Sequence, residues 1–451
     1  MKRRWSKMEG GIVGTALVPH PPILFGEIGG DESRRVAKTK VAMARVAGWL
    51  KELDAEVLIV ISPHGPMRRG GLVGLGGDCA TANFANFGIP GLAVDISLDE
   101  ALMETISNLL CATNIDLRID PSYGDNVDHG VGVPLLALRR EGVKLPAVVF
   151  GYPALYREDL WRFGSILHEA CTERGLRAAV IASGDLSHRL QPGAPAGYDP
   201  RAGEFDLALV HAFRRGEPET LWELPDQVIE RAGECGYYPL LVALSAARTV
   251  DPEPIALLYS YEAPFGVGYA VGTVTPREYA GLLDPSGVAR ESIRHYLTEG
   301  DSIPIPDALS DTLAAPAACF VTLHSDDQLR GCIGTVEPTE KNLAAEIIKN
   351  SIAAATRDPR FPPVSFREMG DIEISVDVLG ESEPADVGDL DPRRYGVIVS
   401  EGGRSGLLLP DLAGIDDVRQ QLKIACQKAG IAPGSGDYEV FRFEVTRYGP
   451  S

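Results

Sequence analysis

The chain is short of positive charge, long apolar runs, paired cysteines and histidine, and each shortage narrows what it does. Lysine and arginine number 43 against 63 aspartates and glutamates, a net charge of −20. That balance argues against nonspecific binding to nucleic acid or anionic membrane, because both need a positive field. No apolar stretch approaches the roughly 20 residues that a membrane span requires, so no membrane role is expected. The seven cysteines (Cys79, Cys111, Cys171, Cys235, Cys319, Cys332, Cys426) are odd in number, scattered and without C-x-x-C spacing. They read as reduced thiols of a cytoplasmic protein, not as a disulfide framework or a zinc knuckle. Met1-Lys2-Arg3-Arg4-Trp5 imitates the basic start of a signal peptide. Glu9 and two glycines then precede an apolar run of only about eight residues, so that reading is set aside.

What is present is a globular composition over 451 residues, 45% hydrophobic and 24% charged. This is too long for one ordinary core, and two domains are expected. Histidine occurs only eight times, and its placement is patterned. The apolar run from Gly11 to Val18 reads as a buried strand, stopped by His20 between prolines that forbid helix or ladder continuation. Val57 to Ile61 ends in the same way at Pro63-His64, and Ala178 to Ala182 leads through Ser183-Gly184-Asp185-Leu186-Ser187 to His188. A fourth histidine, His129, lies in the loop Asp125-Asn126-Val127-Asp128-His129-Gly130. A lone histidine after a strand is usually a turn residue. Three strands that each release one as they end suggest a shared site at one sheet edge, where open α/β sheets keep their ligands. His168, His211, His295 and His324 lie in helical or hairpin patterns and read as structural or surface residues.

Strands alternate with helical patterns as far as residue 275, which makes residues 11–275 an α/β domain, a mixed sheet with flanking helices. Residues 67–97 are glycine-rich and suggest a hairpin excursion over the sheet. Residues 1–10 read as a tail and 276–286 as a linker. Residues 287–451 change texture to hairpins and isolated helices, a smaller α+β domain. Its expected elements include a hairpin around Ser325-Asp326-Asp327 and a last strand from Tyr438 to Val445.

A mononuclear ferrous site needs two neutral imidazoles and one anion on a single face, with the opposite positions open for dioxygen and substrate. His20 and His64 supply the imidazoles. Glu234, at a helix start among glycines, is the leading carboxylate. Cys235 beside it is a softer rival that would favour copper or zinc. His129 and His188 are then acid–base groups, and Asp185 a carboxylate that orients an imidazole.

On these residues, positions 11–275 resemble the LigB-type class III extradiol ring-cleavage dioxygenases, a superfamily that includes the MEMO proteins. The resemblance implies Fe(II) on His20, His64 and Glu234, with His129 and His188 catalytic, activating O2 for a catecholic or related small aromatic substrate. Glu234-Cys235-Gly236 departs from that pattern and resembles the MEMO arrangement, in which cysteine takes the third-ligand place. The alternative is therefore a non-catalytic MEMO-like adaptor that binds copper or iron.

Residues 287–451 resemble the AMMECR domain through Leu329-Arg330-Gly331-Cys332-Ile333-Gly334, Arg357-Asp358-Pro359-Arg360-Phe361 and Gly406-Leu407-Leu408-Leu409-Pro410. Cys332 with Arg330 beside it is a second candidate site, since a nearby cation stabilises thiolate. A strand cysteine in a tight hairpin explains the same residues. By analogy the two-part architecture implies a radical S-adenosylmethionine protein as partner. The oligomeric state stays open.

Overall fold

A computed structural model describes residues 10–306, 309–412, 414–432 and 438–449. The expected tail, apart from Gly10, lies outside the described residues. The chain divides into two compact units, Met1–Leu283 with Arg367–Asp371, and Asp284–Phe366 with Ile372–Ser451.

The first unit contains β1 (Gly11–Val18), β2 (Val57–Ile61), β3 (Gly71–Leu75), β4 (Cys79–Phe84), β5 (Ile89–Ser97), β6 (Asp116–Asp120), β7 (Ala147–Phe150), β8 (Arg177–Ser183), β9 (Ile255–Glu262) and β10 (Tyr269–Thr275). Eight of them form one mixed sheet in the order β6-β3-β7-β2-β8-β1-β10-β9, and β4 pairs with β5 as a separate ribbon. The pairs β7-β2, β2-β8 and β8-β1 are parallel. β1, β2 and β7 are buried along their whole length, which is why they read as unbroken apolar runs. Crossover helices, among them Ala37–Glu52 and Arg157–Arg174, supply the cover that parallel pairing needs.

Residues 67–97 are only partly an excursion. The ribbon is present, but Gly71–Leu75 joins the main sheet as β3 beside β6. β6 is hidden in the sequence, because Asp116-Leu117-Arg118-Ile119-Asp120 places charges where an inner strand would be apolar. Those charges suit an edge strand, where they discourage further pairing.

The second unit holds β11 (Cys319–Ser325), β12 (Gln328–Gly334), β13 (Ile372–Leu379), β14 (Glu383–Pro384), β15 (Gly396–Glu401), β16 (Arg404–Leu408), β17 (Glu439–Phe443) and β18 (Val445–Tyr448). They form two antiparallel sheets, β12-β11-β13-β18 and β14-β17-β15-β16. The hairpin at Asp326-Asp327 turns on two left-handed residues, φ 50° and 58°, a conformation that aspartate tolerates. The expected last strand is two strands in different sheets, broken at Glu444, whose carbonyl takes the Gly380 N–H at 2.9 Å. Within the expected linker, Arg277–Leu282 forms a short 3-10 helix, and Asp284 caps the helix Pro285–Glu299 through the Gly287 N–H at 2.9 Å.

Phe150 ends β7 fully buried, edge-on to Phe163 with ring centroids 5.1 Å apart. Replacing it with alanine removes that contact and leaves a cavity. Phe150→Ala is expected to cost the first unit about 3–5 kcal/mol in denaturant unfolding, and a cost below about 1 kcal/mol would show that the site collapses without loss.

Candidate metal centre

Strands β2, β8 and β1 run parallel and adjacent, with Ile61 opposite Ala182 and Val18 opposite Ser183. Their C-terminal ends therefore lie level on one sheet edge, and the segments that follow carry His64, Asp185 with His188, and His20. The convergence expected from strand-then-histidine spacing is present. His20 Nε2 is 3.0 Å from His64 Nε2, and the His129 ring lies 5.2 Å from His20 and 4.5 Å from His64.

Ser183 settles which nitrogen of His20 faces the cluster. Its hydroxyl donates to the Gly130 carbonyl at 2.5 Å, so its oxygen is left to accept from His20 Nδ1 at 2.9 Å. By this hydrogen-bond network Nδ1 carries the proton and Nε2 presents a lone pair toward His64. Burial holds the His20 ring well below its usual pKa, and the neighbouring His64 and His129 lower it further. Burial likewise lowers His64 and His129. These rings are therefore neutral near pH 7.

The third member is Cys235, whose Sγ is 3.7 Å from His20 Nε2. One donor atom from each of His20, His64 and Cys235 lies within 4.8 Å of the other two. Glu234 does a different job: its carboxylate accepts the Tyr237 N–H at 2.6 Å, at the start of the helix Tyr237–Val250. Cys235 gets close because Gly184 and Gly236 pack backbone against backbone, and a Cβ on Gly184 would collide with the Gly236 Cα. The Asp185 carbonyl then accepts from Cys235 N at 3.3 Å and Gly236 N at 3.0 Å, while Asp185 N donates to the Cys235 sulfur at 3.3 Å.

The donor set fits a single metal ion. Two bonds of about 2.1 Å meeting near a right angle span about 3 Å between nitrogens, which matches the 3.0 Å between His20 and His64. Without a metal, burial and the charge of Asp185 push the thiol well above its usual pKa. A bound cation reverses that balance and takes the thiolate.

Asp185 and His188 sit beside this set. Asp185 Oδ1 accepts the His20 N–H at 2.9 Å, and Oδ2 lies 3.9 Å from both His20 Nε2 and His188 Nε2. His188 Nδ1 bonds the Gly233 carbonyl at 2.8 Å; a carbonyl only accepts, so Nδ1 is the donor. Burial raises the Asp185 carboxyl above the usual aspartate range, partly offset by the His20 N–H.

Residues 14–272 match the family model of the catalytic LigB subunit of aromatic ring-opening dioxygenase, and residues 286–448 match that of AMMECR1. The chain belongs to the LigB dioxygenase family, with an AMMECR1 domain fused behind. A Clostridium acetobutylicum protein is 35% identical over 468 residues, covering 96% of this chain and 98% of that one. A Thermotoga maritima protein is 52% identical over 159 residues, 35% of this chain and 91% of its own length. Among solved structures, an uncharacterized Pyrococcus horikoshii protein aligns at TM-score 0.35 and 32% identity, over 38% of this chain and 90% of that one. An uncharacterized Escherichia coli protein aligns at TM-score 0.39 and 15% identity, over 58% and 99%.

Sequence reasoning missed several neighbours of the LigB site. Ser183 ends β8, just before Asp185, and its hydroxyl's effect on the His20 tautomer is not legible in the sequence. Phe87, beyond the β4 strand, meets His129 edge-on at 5.4 Å, and Tyr152 and Tyr238 pair at 5.6 Å. Nothing in their spacing marks them. In the AMMECR1 domain Cys332 is half-buried on β12, accepting from the Thr322 hydroxyl at 3.3 Å. Its backbone N–H goes to Asp358 Oδ2 at 2.8 Å and its carbonyl to Arg360 at 3.0 Å. Arg330 donates to the Pro362 carbonyl at 2.9 Å, and Arg360, paired with Asp358 at 2.7 Å, is a second cation beside the cysteine. The Arg360 pair holds the Asp358 carboxyl well below its usual range.

Asp206 fixes the turn that delivers His188. It is 1% exposed, accepting from Ser187 N at 2.9 Å and the Tyr261 hydroxyl at 2.8 Å, and burial raises its pKa to about 6. The folded state thus holds this proton more tightly than the unfolded state, where aspartate titrates near about 3.9. The resulting stability is full below about pH 4 and is lost as pH rises through about 6. In denaturant unfolding of the metal-free protein, Asp206→Asn is expected to remove up to roughly 3 kcal/mol of the decline between pH 4 and 7. Identical pH slopes in parent and variant would refute it.

Proposed function

We propose that the LigB domain is a metal-dependent oxidoreductase that joins dioxygen to a catecholic or related small aromatic substrate, using one metal ion on His20, His64 and Cys235. The observation that carries this reading is the 3.0 Å approach of the two Nε2 atoms with the Cys235 sulfur 3.7 Å from His20. Iron(II) at such a site would supply open positions for dioxygen and the diol together. His188, whose Nε2 lies 3.9 Å from Asp185 Oδ2 while Nδ1 is held by the Gly233 carbonyl, is placed to take a hydroxyl proton from the substrate and return it later. Asp185 holds the His20 backbone, and with it the ring, at the ligand position. His129, stacked on His64 at 4.5 Å, walls the pocket and is a second proton-exchanging group.

One observation favours a second reading. The clustered third ligand is a thiol, a soft donor that suits copper or zinc better than a carboxylate does. On that reading the domain binds metal without ring cleavage and works as an adaptor, with a radical S-adenosylmethionine protein as its partner.

Anaerobically purified protein is expected to hold one metal ion per chain by elemental analysis. His20→Ala, His64→Ala and Cys235→Ala each lose it, Glu234→Ala keeps it, and His188→Ala keeps the metal while losing oxygen uptake with catechols. Parent-level metal in His20→Ala would refute the ligand set. Copper or zinc, with no oxygen uptake, would move the conclusion to the adaptor.

A further inference from the structure

We propose that Asp128 is a positioning residue that locks the His64 and His129 rings against each other. It precedes the helix His129–Arg140, and its Oδ1 accepts the Gly130 N–H at 2.8 Å as an N-cap. A cap alone would need no more. Here the same Oδ1 also accepts the Ser62 hydroxyl at 2.5 Å, and Oδ2 accepts the Tyr123 hydroxyl at 2.8 Å. Ser62 is the first residue beyond β2, and its oxygen in turn accepts the His64 N–H at 3.2 Å.

One carboxylate therefore ties together the strand end that releases His64, the helix that opens with His129, and a third segment through Tyr123. Strand alignment cannot do this, because His129 starts a helix and follows no strand end. Ser62 and Tyr123 are 0% and 3% exposed, so without Asp128 two buried hydroxyls lose their acceptor with little water to replace it. Gly130 admits the arrangement, since a Cβ there would collide with Ser62 Oγ and Asp128 Oδ1. The product is a ring stack at 4.5 Å and 19°, with His129 also edge-on to His20. The charge of Asp128 faces the same rings and opposes part of the lowering that burial imposes on His64 and His129. It would likewise offset the positive charge of a bound divalent ion.

The consequence for metal affinity rests on the metal-centre reading above; the ring geometry does not. The test uses the full chain, metal-free, with histidine labelled at 13Cε1. His64 and His129 signals are assigned from His64→Gln and His129→Gln. In Asp128→Ala both signals are expected to move through the lost ring stacking while those of His168 and His324 stay, and Co(II) affinity is expected to fall about 10-fold or more. Asp128→Asn, which keeps an acceptor oxygen, moves them less. Should Asp128→Ala fail to fold, Ser62→Ala, which removes one of the three donors, is expected to move both signals. Unmoved His64 and His129 signals in the folded variant overturn the proposal, even if the parent binds Co(II) and His20→Ala does not. A parent that binds no Co(II) while the signals still move removes the metal reading and leaves the positioning role standing.

Discussion

The LigB site hangs on the backbone and side chain of one residue, Asp185. Its carbonyl takes the N–H groups of Cys235 and Gly236, its N–H reaches the Cys235 sulfur, and its carboxylate takes the N–H of His20. The end of β8 is thereby joined to the end of β1 and to the segment before the helix Tyr237–Val250. A carboxylate only 6% exposed is costly unless paired. Asp185 has the His20 N–H on one oxygen and, on the other, two imidazole nitrogens at 3.9 Å.

That pairing is incomplete in electrostatic terms, which bears on the chemistry. Burial keeps the imidazoles of His20, His64 and His129 neutral and holds the Cys235 thiol protonated, so the pocket gathers lone pairs with little positive charge. A divalent ion would satisfy the two facing Nε2 atoms, deprotonate the thiol and give Asp185 an opposite charge at once. The level ends of β2, β8 and β1 put His20, His64 and Asp185 on a rigid scaffold, since parallel strands buried on both faces have little freedom to shift register. Apart from the sheet, aromatic residues adjoin the cluster: Phe87 lies against His129, and Tyr152, paired with Tyr238, is near Cys235.

Much of this was legible in the residues. The apolar runs ending at Pro19-His20-Pro21 and Ser62-Pro63-His64 marked strand ends, because proline stops both helix and ladder, and the level edge followed from their parallel pairing. The Asp128-His129-Gly130 loop was legible as a histidine site, though its Asp128 was not seen as more than loop. Less could be read where two neighbours compete. Glu234 and Cys235 are adjacent, and either suits a helix start; the carboxylate bonds the Tyr237 N–H while the thiol turns to His20. The strand β6 was hidden because an edge strand needs no apolar face on the solvent side, and the break at Glu444 because two strands of different sheets read as one alternating run.

The sequence by itself determined the two-part organisation, the buried strands of the first part, and the histidines that end them, because periodicity, proline and chain order act within a few residues. Only the tertiary structure decided which nitrogen of His20 faces the cluster, which of Glu234 and Cys235 joins it, and how His129 is held. Each depends on a contact between segments 50 residues or more apart: Ser183 with Gly130, Asp185 with Cys235, Asp128 with Ser62. No local preference encodes such a meeting. It exists only once the sheet has brought the strand ends level.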